Sequence, residues 1–161
     1  MPLVSKNVVM NACKEQVEDQ LTGDEGFIDQ VLIFDGPISV ALEQQFAGQL
    51  ESGAEAFVFI AFSGSVPFTR AGDGTALIQE QIIDFYAVVK GKGATRYTND
   101  RERLNDISDS LFDSVFIPGN WTAAFVANIA SFEPDSVTRQ DLGDDALISH
   151  LVRFHCRPKR V

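Results

Sequence analysis

In some stretches of the chain apolar residues recur every three or four positions, which is the spacing of a helix. In other stretches they occupy every position or every second position, as they do in strands. Two early segments have the helical spacing. The first predicts an amphipathic helix over about 5–22, ended by Gly23. The second starts near Pro37, whose missing N–H suits a first helical turn, and stops before Gly53. Their apolar stripes are Met10, Cys13, Val17 and Leu21, and Ile38, Leu42, Phe46 and Leu50.

Three segments in the first half of the chain have the character of strands. QVLIF (30–34) is short, apolar and closed by Asp35-Gly36-Pro37. AFVFIAF (56–62) is too short for an ordinary helix and apolar on both faces, which favours a central strand forming the spine of a sheet. The segment 78–91 alternates in the manner of a long strand and is expected to form a hairpin with its predecessor.

The second half predicts one helix followed by strands. Residues 98–116 carry an apolar stripe, and Asn99 with Glu102 resembles a capping box before the stop at Pro118-Gly119. Residues 123–134, 137–140 and 146–157 are interpreted as strands, with the acidic turn LGDD before the last. These elements predict a single α+β domain over 1–161, in which two or three helices pack on a largely antiparallel sheet of four to five strands.

The composition of the chain limits the classes of function that it can have. The chain has 161 residues, is 45% hydrophobic and carries a formal charge of −10, so a folded core is expected and a nucleic-acid duplex would be repelled without a basic patch. Basic residues cluster only from Arg153 onward. No secretion leader or stretch of eighteen apolar residues is recognised, and Cys13 and Cys156 have no metal or disulfide spacing.

The glycine-containing stretch after residue 62 is the first candidate for chemistry. A phosphate-binding loop needs GxxxxGK[ST] or GxGxxG before a helix, and Gly64, Gly72 and Gly74 have neither spacing. The GxSxG pattern of a nucleophile elbow is also missing around Ser63 and Ser65. We therefore interpret the segment 63–74 as an exposed hairpin loop that contacts other protein.

His150, His155 and Cys156 are the residues that invite a metal interpretation. On a strand the two histidines point to opposite faces, so no metal is predicted, and a half-buried, hydrogen-bonded His150 is preferred. The pairs Asp144-Asp145 and Asp106-Asp109 could act as acid and base, but turns and helix surfaces are where solvated carboxylates normally lie. No cofactor is predicted.

The basic segment RFHCRPKR (153–160) could bind nucleic acid, although protein contact is favoured. The rival enzymatic hypothesis is a small hydrolase that uses Ser63 or Ser65 with His150. It requires the serine hydroxyl and an imidazole nitrogen within hydrogen-bonding distance.

The order of the elements resembles the Mu-like phage tail-terminator family, which is similar in fold to the lambda-type minor tail proteins that cap the tail tube. The resemblance covers most of the chain. The segments that carry it are AFVFIAFSG (56–64), IIDFYAVVKGKGATRYTNDRERLNDISDSLFDSVF (82–116) and ALISHLVRFHCRP (146–158).

The resemblance implies a non-enzymatic virion protein of the tail or neck, made in the host cytoplasm. It would form a ring, six subunits being the expected number, on the tail tube protein, end tube polymerisation and present a surface to sheath or head–tail connector proteins. DNA would only pass through the lumen, and no membrane is involved. The alternative is another neck or head-completion connector protein.

Two sets of residues are predicted to make the protein contacts. Val66, Phe68 and Arg70 would project from the loop between Gly64 and Gly74 toward the tube or a neighbour. The charge asymmetry of the chain leads us to expect a second contact, in which basic residues of one subunit meet acidic residues of the next. The residues of that contact are Arg153, Arg157 and Arg160, and Asp141, Asp144 and Asp145.

Overall fold

A computed structural model describes residues 4–22, 27–34, 55–70, 77–90, 100–140 and 147–160. Within these ranges the chain forms three α-helices and five strands. In chain order they are α1 (Lys6–Leu21), β1 (Gln30–Phe34), β2 (Ala56–Arg70), β3 (Leu77–Lys90), α2 (Arg101–Ser110), α3 (Ala123–Asn128), β4 (Ile129–Gln140) and β5 (Leu147–Pro158). The predicted helix between Pro37 and Gly53 and the predicted cap at Asn99 lie outside the described residues.

The strands form one sheet in the order β1-β2-β3-β5-β4. β1 and β2 are parallel, and all other neighbours are antiparallel. The predicted α+β class is confirmed, as is the hairpin between β2 and β3. The apolar run 56–61 is buried in an interior strand, as expected, but the middle of the sheet is occupied by β3, which pairs along most of its length with both β2 and β5.

The predicted loop after residue 62 is also corrected. β2 continues to Arg70 and pairs with β3 on both sides of an irregularity between Phe62 and Gly64. Gly64 has a φ of 148°, a backbone conformation that favours glycine. The Ser63-Gly64 signal therefore marks a β-bulge in a continuing strand, where an extra residue is accommodated without ending the pairing.

The predicted third helix is confirmed as α2. Its apolar stripe of Leu104, Ile107, Leu111 and Val115 is buried, and the last two residues lie in a π-helical turn over Leu111–Val115. A short 3₁₀ turn over Pro118–Asn120 follows. Proline cannot continue the helical hydrogen bonding, which is why the chain changes direction here.

The strand predicted over 123–134 is wrong in its first half. Residues Ala123–Asn128 form α3, whose N-cap Thr122 accepts a hydrogen bond from the Phe125 N–H at 3.2 Å. This cap stabilises a helical turn. The turn was not predicted because the residues of this segment are typical of a strand. The second half joins 137–140 in one strand, β4, because a register shift between Pro134 and Ser136 lets pairing with β5 resume after the proline.

The helices and the turn at 115–122 cover one face of the sheet, which we call the helix-covered face. Its core is aromatic and includes Phe85, Phe116, Phe125, Phe132 and Phe154, of which Phe132 and Phe154 stack with centroids 4.7 Å apart. The fully buried Gln16 of α1 ties this layer together by hydrogen bonds to the turn. Its amide donates to the Val115 and Asn120 carbonyls and accepts from the Thr122 N–H.

The opposite face of the sheet changes character along the strands. At one end lies a buried apolar cluster in which Phe59 and Tyr86 stack with centroids 4.4 Å apart. Burial and the nearby Asp84 carboxylate raise the pKa of Tyr86 to about 12. At the other end the side chains are charged, and this end forms the candidate site.

Candidate interaction surface

The β2–β3 hairpin extends beyond the rest of the sheet. β1 pairs with β2 only as far as Ala61, and β5 pairs with β3 only from Gln81 onward. In the described part of the chain, β2 residues 66–70 and β3 residues 77–80 therefore pair with each other and with no third strand. We call these two segments the ribbon.

The ribbon begins just after the bulge at Gly64, and a second register shift follows between Val66 and Thr69. Bulges increase the local twist and bend of a strand, and both irregularities of the β2–β3 pairing lie at or within the ribbon. A Cβ placed on Gly64 would contact nothing within 4 Å. Glycine is therefore favoured at this position by its backbone conformation and not by crowding.

The three predicted contact residues of the supposed loop lie on this ribbon. Val66, Phe68 and Arg70 belong to β2. The feature that the sequence identified is therefore present as paired strand and not as loop. The acidic partners Asp141, Asp144 and Asp145 lie outside the described residues.

A charged strip lies at the base of the ribbon, on the face opposite the helices. Arg153 of β5 binds Asp84 of β3 through two hydrogen bonds, Nε to Oδ1 at 2.8 Å and Nη2 to Oδ2 at 3.0 Å. Asp84 is almost fully buried, whereas the Arg153 side chain is 36% exposed. The Arg153 Nη2 also lies 3.4 Å from Ser63 Oγ, so one guanidinium links β5, β3 and the bulge.

A second ionic group continues the strip toward the ribbon. Glu80 accepts hydrogen bonds from the Arg157 guanidinium and lies 3.3 Å from His155 Nδ1. The Arg157 hydrogen bonds, followed by the His155 contact, lower the pKa of Glu80. His155 Nε2 is 3.7 Å from Asp135 of β4, so the group spans three strands.

Arg153 and Arg157 thus have carboxylate partners within their own chain. The prediction that they meet Asp141, Asp144 and Asp145 of a neighbour stays a prediction. An acidic surface of a neighbour would join a network that already exists. Arg160 lies at the end of the described residues. The residue before it, Lys159, makes backbone hydrogen bonds to Asn128 of α3 and to Val4.

Glu80 and Asp84 are the important residues that the sequence reasoning missed. The available signal was the spacing of these two acids, which lie four residues apart in the predicted strand and therefore on the same face of it. An acid at such a position needs a basic partner once buried, and Arg153 was the candidate in the final strand.

A hollow of about 370 Å³ opens beside the strip, past the end of β1. α1 contributes Lys6 and Asn11 to its wall, and β2 contributes Phe62 and Ser63. The Lys6 ammonium lies 4.9 Å from the centre of the Phe62 ring, a cation–π contact.

Ser63 and His150 of the hydrolase hypothesis lie on different faces of the sheet. Ser65, the other serine of that hypothesis, pairs with Gln81 of β3, whereas His150 pairs with Ala87, six residues further along the strand. His150 faces α2, where its Nδ1 is 3.0 Å from the buried Ser108 Oγ. Ser63 instead contacts Arg153 on the other face. Burial lowers the pKa of His150, which keeps the imidazole neutral. This is the half-buried, hydrogen-bonded histidine that the sequence predicted.

Among the described residues no group of three or more His, Cys, Asp or Glu side chains is placed to hold a metal ion. Cys13 and Cys156 are both buried free thiols. No helix in the described ranges is long and apolar enough to span a membrane.

No protein-family model matches the chain, and comparison with curated proteins found no match.

Proposed function

We propose that this protein is the subunit of a ring that caps the head-proximal end of a phage tail tube, ends tube polymerisation and offers a surface to the head connector. The proposal starts from the predicted order of elements that carries the resemblance: helix, short strand, helix, apolar strand ending in a glycine, open loop, long strand, helix, strand and final strand. The described residues contain the first helix and the strands in that order, with β2 continuing past the glycine and α3 preceding β4, while the second helix lies outside them.

The observation that supports the proposal best is the ribbon. An isolated two-stranded ribbon is at most marginally stable in water, because its backbone groups and side chains have too few neighbours. A ribbon that projects from a well-packed sheet is therefore suited to gain its remaining contacts from another protein. In a tail, those partners would be the tube protein or the adjacent subunit.

The charges near the ribbon suit binding better than catalysis. Asp84 and Glu80 are each held in an ion pair with an arginine, Arg153 and Arg157, an arrangement that suits a fixed surface better than proton transfer. The net charge of −10 also suits a ring through which DNA passes, because acidic walls do not retain phosphates.

The test is complementation of a phage whose copy of this gene is deleted. Without the protein we expect tail tubes of uncontrolled length in electron micrographs, and with the wild-type protein tubes of uniform length. Phe68→Asp places a charge on the ribbon and should fail to restore uniform tubes. Val126→Asp is the matched control, since Val126 is 49% exposed on α3, outside the ribbon, and should complement.

Normal tube lengths in the deletion phage would overturn the capping role. If labelled protein is then found at the neck, the adjacent connector role takes its place. Turnover that depends on Ser63 and His150 would replace the structural role with an enzymatic one.

A further inference from the structure

Two arginines of the chain lack the acidic partners that other arginines have. Arg103, Arg153 and Arg157 each form an ion pair with a carboxylate of this chain. Within the described residues Arg101 and Arg139 form neither an ion pair nor a hydrogen bond, although the chain carries a formal charge of −10. Both are exposed. Two unpaired guanidinium groups on an acidic protein are candidates for binding an anion.

Both arginines lie beside His150. Arg139 of β4 is directly opposite His150 of β5 in the pairing register, so the two side chains point to the same face of the sheet, the helix-covered face. Arg101 lies seven residues before Ser108 on α2 and therefore on the same side of that helix, and Ser108 contacts the His150 ring. Burial lowers the pKa of His150, and the charges of Arg139 and Arg101 lower it further, as expected for cations near the ring.

One acidic residue also faces the imidazole. Burial and the two arginines lower the pKa of His150, and the Asp109 carboxylate of α2 opposes them. Two guanidinium groups and one carboxylate leave a net positive charge around the ring. Apolar side chains border the same place: Val137 of β4 is 40% exposed, and Ile148 of β5 is partly buried. Both lie two residues before the arginine or histidine of their strand, and so on the same face.

The hydrogen bonds of Ser108 decide which nitrogen of His150 carries the proton. The Ser108 hydroxyl has one hydrogen, and its Oγ lies 3.1 Å from the carbonyl oxygens of both Leu104 and Asn105. Carbonyls only accept, so the hydroxyl donates to them and its oxygen accepts from the Nδ1–H of His150 at 3.0 Å. Nε2 of the neutral ring is then an acceptor, and it makes no hydrogen bond within the described part of the chain.

Two guanidinium donors and one imidazole acceptor discriminate among oxyanions. Guanidinium groups suit carboxylate, sulfate and phosphate groups alike. Near neutral pH a carboxylate or a sulfate has no hydrogen to donate to Nε2. A phosphomonoester has its second pKa at about 6 and keeps a hydrogen on a substantial share of its groups, whereas the diester backbone of DNA has none to give. The acceptor therefore favours a phosphate group that is not esterified twice.

We propose that Arg101, Arg139 and His150 form a binding site for a phosphate group that can carry a proton, either inorganic phosphate or a phosphomonoester. The two arginines bind its anionic oxygens, and His150 Nε2 accepts its remaining hydrogen. The proposal does not rest on the ring-forming role, because these residues belong neither to the ribbon nor to the charged strip.

The test follows the two histidines of the chain by NMR while inorganic phosphate is added at constant ionic strength, near pH 6.5, the ordinary pKa of histidine. The His150 signals should shift and saturate, whereas those of His155, on the open face, should not. A bound anion favours the imidazolium, so saturating phosphate should raise the pKa of His150. A His150 signal that does not saturate, or that moves together with His155, would overturn the site.

Three variants show whether the two arginines bind the anion. Arg101→Gln and Arg139→Gln should each weaken phosphate binding by about tenfold, since each removes a charge-assisted hydrogen bond. Arg157→Gln is the matched control, because it changes the net charge equally but lies on the open face, and it should bind phosphate as the wild type does. Equal weakening in all three folded variants would mean that phosphate responds only to net charge, and would overturn the proposal.

Further ligands test the chemistry and the source of the phosphate. Sulfate and cyclic AMP, a diester, have no hydrogen to give to Nε2 and should bind about tenfold more weakly than phosphate. Equal binding of either would overturn the assignment of His150 as acceptor. Adenosine monophosphate carries a terminal phosphate and should bind. If it binds more tightly than phosphate, the natural ligand is a phosphomonoester; if it binds no more tightly, the ligand is inorganic phosphate.

Discussion

The two faces of the sheet use the same strands for different purposes. On the helix-covered face Phe154 packs against Phe85, Phe116 and Phe132, with centroids 5.5, 4.9 and 4.7 Å away. One residue earlier in the same strand, Arg153 points the other way and binds Asp84. Because side chains alternate along a strand, a single sequence builds an aromatic core on one side and an ionic surface on the other.

The two faces of the sheet separate the residues that stabilise the fold from the residues that are exposed to solvent. The aromatic face gains its energy from close packing and dispersion, which no partner is needed to complete. The open face ends in ion pairs whose arginines are 36% and 50% exposed at the side chain, so much of their attraction is screened by water. Substitutions on the two faces should therefore differ in size and in kind.

The largest effect is expected for Phe154→Ala on the helix-covered face. Phe154 is 1% exposed, and removing its ring from the cluster should lower the free energy of unfolding by about 3–5 kcal/mol. Denaturant titration measures the loss. Phe27→Ala is the control, because Phe27 is 42% exposed and should change stability by no more than about 0.5 kcal/mol. Similar losses in both variants would contradict the packing described for this face.

The next effect concerns the ion pair on the open face. Arg153→Met leaves the buried Asp84 carboxylate without its bidentate partner and should lower the free energy of unfolding by about 2 kcal/mol. The loss is smaller than for a fully buried pair because the Arg153 side chain is partly exposed. Arg157→Met removes the more exposed pair with Glu80 and should cost less than about 1 kcal/mol.

A double variant sharpens this result. Asp84→Leu combined with Arg153→Met removes both charges and should recover most of the loss, since no buried carboxylate remains. If the double variant is as unstable as the sum of the single variants, the two side chains do not interact as described.

A smaller effect is expected at the base of the ribbon. Gly64→Ala forces an L side chain to adopt a φ of 148° and should cost about 1–2 kcal/mol, although the added methyl group meets no atom within 4 Å. Hydrogen exchange should quicken in the ribbon more than in the body of the sheet. A stability equal to that of the wild type would mean that the bulge can relax without cost.

The smallest effect is the pH dependence contributed by His150. Burial lowers its pKa in the folded protein below the ordinary value of 6.5, so the unfolded chain binds the proton more readily. This contribution to stability is fully present above pH 6.5 and is lost as the pH falls toward the folded-state pKa. His150→Gln should flatten the slope of unfolding free energy just below pH 6.5. The stability that Glu80 contributes is lost at a lower pH, because the ordinary pKa of this carboxyl is 4.5 and its pKa in the folded protein is lowered further.

Much of the fold was predictable because local pattern and tertiary environment agree. α1, β1, β3 and β5 lie within one residue of their predicted bounds, and α2 with the π-helical turn that follows it covers 101–115 of the predicted 98–116. The errors are informative: the capped helix at Ala123–Asn128 has the composition of a strand, and Ser63-Gly64 has the composition of a turn. In both cases a tertiary or capping contact overrides the local preference.

The candidate site was predictable only in part. Val66, Phe68 and Arg70 were predicted to lie in a loop and instead belong to β2, and their contact with other protein stays a prediction. The acids that bind Arg153 and Arg157 were not identified, because sequence distance carries no information on which strands become neighbours. The predicted partners at 141–145 are close in sequence to the arginines, whereas Asp84 and Glu80 are 69 and 77 residues away.

The sequence by itself determined which segments are amphipathic, which are apolar on both faces, and that the two histidines of the last strand point to opposite faces. Periodicity suffices for this, because burial of apolar side chains dominates the free energy of folding. Only the tertiary structure decided the strand order, the pairing register and the ion pairs of the open face. These depend on pairing between residues distant in sequence, which strand order and register set and which local periodicity does not encode.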